Sequence, residues 1–137
     1  AVAQSGAFSA FSGTWSGSGR ISYTDGSLES IRCMAYNTGG AASLKLVIQC
    51  KSEKNPIHIR SEMSASGGRV SGQWEERTFN VSGSVSGSVS ATSMSLAIGG
   101  GAFQGAMSVS ASKSSLSISI STQNIAMSRA TMNLSRQ

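Results

Sequence analysis

The chain has 137 residues and a formal net charge of +5, with only 12% of residues charged, about half the usual share. That length fits one domain with one core. Its basic residues are scattered rather than clustered, which argues against dedicated nucleic-acid binding, and no run of apolar residues is long enough to cross a membrane as a helix.

Ala1-Val2-Ala3 before Gln4 matches the small-x-small end of a secretory signal peptide. Residues 1–10 are therefore expected to be a flexible segment left after cleavage, and residues 11–137 a single domain. The polar share is supplied by 31 Ser, with 16 Gly beside them. A Ser/Gly-rich chain can be a disordered linker. Here Ser and Gly interleave with Val, Ile, Leu and Met at period 2 from Phe11 onward, which is a strand signal that linkers lack. No segment has helical periodicity.

The first strand carries Phe11, Gly13, Trp15, Gly17, Gly19, Ile21 and Tyr23 on one face. Asp25-Gly26 then makes a hairpin turn. The second strand spans about 28–36 and the third about 43–51, with Asn37-Thr38-Gly39-Gly40 as turn chemistry between them. Pairing residues whose numbers sum to 83 sets Cys33 opposite Cys50, Ala35 opposite Ile48 and Asn37 opposite Leu46. The sulfurs then lie across one ladder on the apolar face. That register predicts a disulfide worth roughly 3 kcal/mol through the loop it closes, and an oxidising compartment such as a bacterial periplasm. Two buried free thiols are the alternative. Two Cys and one His at unrelated spacing do not supply four metal ligands.

The fourth strand, 57–65, points Ile57, Ile59 and Met63 inward and His58, Arg60 and Glu62 outward. Ser66-Gly67-Gly68 turns the chain. The fifth, 69–76, points Val70, Gly72 and Trp74 inward. Phe79 and Val81 have the opposite parity, so a bulge or turn near 76–78 is required. The sixth strand is VSGSVSGSVS, 81–90, with Val and Gly on its inner face and Ser alone on its outer face. Met94, Leu96 and Ile98 mark the seventh, followed by the Gly99–Gly101 turn. Phe103, Gly105, Met107 and Val109 mark the eighth, and Leu116, Ile118 and Ile120 the ninth after a turn at Ser112-Lys113-Ser114. The tenth, 125–134, changes parity between Met127 and Met132, which calls for a second bulge.

About 8–10 consecutive antiparallel strands with short turns predict an all-β, up-and-down meander that closes into a barrel or half-barrel. A β-sandwich is the alternative. A small outer-membrane barrel would need aromatic girdles, and only 6% of residues are Phe, Trp or Tyr.

Phe11-Ser12-Gly13-Thr14-Trp15 resembles the N-terminal signature of the lipocalin/calycin barrels, in which the Trp closes one end. Bacterial inhibitors of secreted metalloproteases are similar in their order of parts: an exported small barrel, Gly-x-Trp, a two-Cys disulfide, a later Trp and a final strand. Those parts are here Trp15, Cys33, Cys50, Trp74 and Asn133-Leu134-Ser135-Arg136. The resemblance implies a barrel that binds, or an inhibitor acting through residues 4–10, and no inhibitory residue is carried over.

The residues offer little catalytic chemistry. His58 is the only His and faces solvent by parity, so no Ser-His-Asp set is defined. Gly83-Ser84-Val85-Ser86-Gly87 has the letters of a nucleophile elbow but lies within one strand. Glu75 and Glu76 point to opposite faces and cannot act as a pair. Glu76 shares the parity of Trp74, so it either lies inside with a partner or sits at a solvated rim. The inner face is rich in Gly and Met. Gly there leaves room for curvature, for a bulky neighbour or for a ligand, and Met lines adaptable apolar sites. The expectation is an exported, non-enzymatic, cofactor-free barrel. It binds a small hydrophobic, lipid-like ligand in the lumen or a protein partner at the rim; a periplasmic protease inhibitor or an envelope-associated structural protein is the alternative. Trp15, Trp74, Glu76, Met63, Met107 and Phe103 are the candidate ligand-binding residues, and the Gly-bearing face of 81–90 is the expected place for space.

Overall fold

The computed structural model describes residues 8–40, 42–52, 56–77, 80–90, 92–100, 103–123 and 127–137. A short 3-10 turn, η1 (Ser9–Phe11), precedes β1 (Gly13–Tyr23), β2 (Leu28–Gly39), β3 (Ser43–Lys51), β4 (Ile57–Ser66) and β5 (Arg69–Glu76). Then follow β6 (Val81–Val89), β7 (Ser93–Gly100), β8 (Phe103–Ala111), β9 (Ser115–Gln123) and β10 (Met127–Arg136). Every strand pairs antiparallel with its sequence neighbours, and β1 pairs with β10, so the meander closes into a ten-strand barrel. The expected half-barrel and sandwich are thereby set aside, because closure gives every strand two hydrogen-bonded neighbours.

Period-2 alternation produces this ring directly. Along β2, Glu29, Ile31, Cys33, Ala35 and Asn37 are buried while the residues between them are exposed. The inward sets from all ten strands join in one apolar core that includes Trp15, Ile48, Leu96, Ile118 and Leu134. Outside, the four strands β6 to β9 carry no charged residue. One exposed row crosses them into β10 as Ser88, Ser95, Ser108, Ser119 and Thr131.

The turns follow their chemistry. Asp25 accepts hydrogen bonds at Oδ1 from the Ser27 backbone N–H (2.8 Å) and hydroxyl (2.6 Å), and Gly26 takes φ 90°. Gly67 and Gly68 both have positive φ, the conformation a two-residue type I′ hairpin needs. The parity change near 76–81 is absorbed by the β5–β6 turn, where Asn80 is left-handed; Thr78 and Phe79 lie outside the described residues. The tenth strand has the expected bulge, since Ser22 pairs with Arg129 and Tyr23 with Met127, leaving Ser128 extra.

Several expectations change. Gly99 and Gly100, expected to turn the chain, extend β7 and pair with Gln104 and Phe103, while Gly101 lies outside the described residues. The turn expected at Asn37–Gly40 begins later: Asn37 and Thr38 continue β2, and Gly40 N–H closes the turn on Ser43 O at 2.8 Å. Phe11 belongs to η1 rather than to β1, and Phe8 is already fully buried, so the chain joins the barrel before residue 11. The inner glycines also do not leave space. A methyl group on Gly17 or Gly19 would run into the β10 backbone, one on Gly72 into β4, and one on Gly83 or Gly87 into β7. Side chains in an ordinary sheet stand clear of the next strand, so these glycines mark three seams where neighbouring backbones close over one another.

Candidate functional site

One end of the barrel is sealed. The three-residue η1 lets Phe11 N–H reach Phe8 O at 3.0 Å and drops Phe8 and Phe11 into the core. Trp15 Nε1 and Asn37 Nδ2 both donate to Phe11 O, at 3.2 and 3.0 Å. Arg136, the register partner of Trp15 on β10, lays its guanidinium over the indole at 4.1 Å from the ring centroid. It also donates from Nη1 to Ser12 O and from Nε to Lys113 O, each at 3.0 Å. One cation thus ties together the link between η1 and β1, the β8–β9 turn and both strands of the closing seam. Arg136→Ala is expected to cost about 1–2 kcal/mol, combining a cation–π contact with charge-assisted hydrogen bonds; a chemical-denaturation midpoint equal to wild type would refute this.

The opposite end carries polar groups that face inward. Glu29, buried to 8% exposure, accepts the Tyr23 hydroxyl proton at 2.5 Å through Oε1. Glu76, at 6% exposure, accepts the His58 backbone N–H at 2.8 Å through Oε2. Glu76 therefore lies inside with a partner, not at a solvated rim. Its carboxylate serves the ladder where β4 begins. His58 is half-buried, and its Nε2 is enclosed with no hydrogen-bond partner among the described residues. Ser61 is buried nearby and donates to Gln73 O at 2.8 Å.

The six candidate ligand residues do not converge on one spot. Trp15 belongs to the sealed end. Met63 stands opposite Leu44 in the same half. Trp74 stands between Ser61 and Gly83, and Met107 between Leu96 and Ile120, both within the core. Glu76 lies at the polar end. Phe103 starts β8 opposite Gly100, and its side chain is outside the described set.

Cys33 and Cys50 are bonded to each other in the expected register, with Ala35 opposite Ile48 and Asn37 opposite Leu46. The bridge is inside the barrel, each Cys being 2% exposed. Such a bond is the mark of an oxidising, non-cytoplasmic setting. Among the described residues no three His, Cys, Asp or Glu side chains come together as a metal site, and no helix is long and apolar enough to cross a membrane.

No family model matches the chain. No curated protein matches it either. Among solved structures it is similar to the crystal structure of Rv2717c from M. tuberculosis, with a TM-score of 0.75 and 15% identity, over 96% of this chain and 95% of that one. At that identity the likeness concerns the fold.

From the sequence, Tyr23 and Glu29 had no site role, and Arg136 entered only as part of the final-strand segment 133–136. Tyr23 and Glu29 carry a signal that could have found them, since both lie on the core parity of their strands beside Ile21 and Ile31. For Arg136 the resemblance brought Trp15 and the final strand together, but nothing in the sequence set the guanidinium over the indole, because the two lie at opposite ends of the chain.

Proposed function

We propose that this protein is an exported barrel that binds rather than catalyses, taking a small hydrophobic ligand through the end opposite the Phe8–Phe11–Trp15 seal. The observation that carries this reading is the asymmetry of the two ends. One is stopped by aromatic rings under Arg136, and the other presents the inward Tyr23–Glu29 pair and Glu76 above an apolar interior. A few fixed polar groups at the entrance of an apolar barrel are what orient a ligand with one polar end. Trp74, Met63 and Met107 lie deeper in the interior, where the two thioethers can shift to suit a guest. Trp15 at a sealed end is also what the likeness to lipocalin/calycin barrels implies. Both inward carboxylates are engaged in holding the fold, which supports binding over acid–base catalysis.

Leu28, 61% exposed just after the Asp25-Gly26 turn at the polar end, favours a second reading. A protein partner could seat on that rim.

Thermal denaturation with a panel of fatty acids and lysolipids tests the first reading. A ligand present at a hundred times its Kd should stabilise the fold by about 2.7 kcal/mol, raising Tm by roughly 9 °C for a chain of this size. No shift with any member, together with unchanged tryptophan fluorescence, would remove the lumen ligand from consideration.

A further inference from the structure

The outer face of the barrel carries a second feature, which does not depend on what the lumen holds. Arg20, Arg32 and Lys51 project from β1, β2 and β3 into a groove of about 610 Å³. Arg32 and Lys51 stand directly opposite one another in the β2–β3 ladder, and Arg20 is diagonal to Arg32 across the β1–β2 ladder. Like charges opposed across a ladder destabilise a sheet. None of the three makes an ion pair or hydrogen bond through its side chain to a described residue, and among the described residues no carboxylate lines the groove.

The adjoining groove on β3–β6 is different. There Lys45 stands opposite Glu62 and Arg60 opposite Glu75, so its charges are matched within the sheet. Among the described residues, the β1–β3 groove leaves its positive charge unanswered.

The other described polar side chains around the three cations are short and neutral: the hydroxyls of Ser18, Ser30, Ser52 and Thr131 and the amide of Asn133, whose Oδ1 accepts from the Ser117 hydroxyl at 3.1 Å and whose Nδ2 remains to donate. Ile31 contributes only backbone, since its side chain is in the core. Among the described residues the groove has no aromatic ring on which a nucleic-acid base could stack, and no apolar floor for an acyl chain. The volume lies within the roughly 300–1,000 Å³ of organic ligand sites, well beyond one inorganic anion. We infer that this groove binds an acidic oligosaccharide. The two guanidiniums and the ammonium take carboxylate or sulfate groups, and the Ser, Thr and Asn side chains take the sugar hydroxyls.

The test is titration calorimetry at physiological salt with oligogalacturonate, with sulfated dextran oligomers, and with neutral dextran and inorganic phosphate as comparisons. One variant is Arg20→Gln/Arg32→Gln/Lys51→Gln. Its control, Lys45→Gln/Arg69→Gln/Lys113→Gln, removes the same three charges elsewhere and likewise leaves a net +2, since +5 − 3 = +2. Melting curves confirm that both variants are folded. Binding of at least one acidic oligosaccharide, weakened tenfold or more in the first variant and unchanged in the control, is the expected result. Equal weakening in the two variants would reduce the effect to diffuse net charge and overturn the proposal. So would binding of phosphate or of neutral dextran as tight as that of the acidic oligosaccharide, or no binding to either acidic probe.

Discussion

Gly87→Ala and Gly72→Ala are each expected to destabilise the barrel by about 3 kcal/mol or more, a loss of roughly 10 °C in Tm for a chain of this size. A Cβ on Gly87 would overlap the Ser95 carbonyl oxygen and lie 2.8 Å from Leu96 Cα. One on Gly72 would overlap the Glu62 carbonyl oxygen and lie 2.8 Å from Met63 Cα. These are backbone atoms held by ladders on both sides, so they cannot swing away as a side-chain tip would. Relief requires spreading β6 from β7, or β5 from β4, which breaks hydrogen bonds and opens the core beneath. Gly40→Ala is the matching control, because its added methyl would meet nothing closer than Ser43 O at 3.9 Å. Denaturation of the three variants checks the argument. Equal stability of Gly87→Ala and Gly40→Ala would show that the seams are not close contacts.

Cys33→Ala/Cys50→Ala should cost about 3 kcal/mol, again roughly 10 °C in Tm. The two residues are 17 apart in sequence and are already held face to face by the β2–β3 ladder. Removing the bond therefore changes the folded state little. It mainly frees the unfolded chain, in which the closed loop would otherwise restrict the ensemble. With both Cys 2% exposed, a reductant has no access until the hairpin opens, so reduction should track unfolding. Melting with and without dithiothreitol, alongside thiol titration of the folded protein, measures this. Free thiols in the folded, unreduced protein, or identical melting of wild type and double variant, would count against it.

Much of the fold was legible because each strand repeats at period 2 and each turn carries Gly, Asn, Asp or Ser. Parity left several β2–β3 registers open, and the two Cys singled out the one in which they face each other, which is the register found. The same sum, 32 + 51 = 83, places Arg32 opposite Lys51, so the unanswered charge on the outer face was available in the sequence once the hairpin had been written out. Three features were not. The Phe8–Phe11 seal rests on a 3-10 turn too short to have a period. The β2–β3 turn fell beyond Asn37 because that side chain is more useful as a buried donor to Phe11 O than in a loop. The inner glycines read equally as room or as contact, and only the neighbouring strand decides between them. VSGSVSGSVS shows this plainly. Its Ser side is open wall, and two of its glycines lie against β7 with no room for a methyl group.

Nine of the ten ladders in the ring join strands adjacent in sequence, and the β1–β10 ladder alone spans the chain. The nine can form as successive hairpins, each closing a short loop at small entropic cost. The tenth must wait for the two ends of the growing sheet to meet, and a long-range pairing of this kind is the slow step in folding. Arg136 sits at that meeting point, bonded across it to Ser12 O and stacked on Trp15. The same side chain that seals one end of the lumen therefore acts as the latch on a ring that assembles by zippering, holding shut the one seam whose loss would return the barrel to an open sheet.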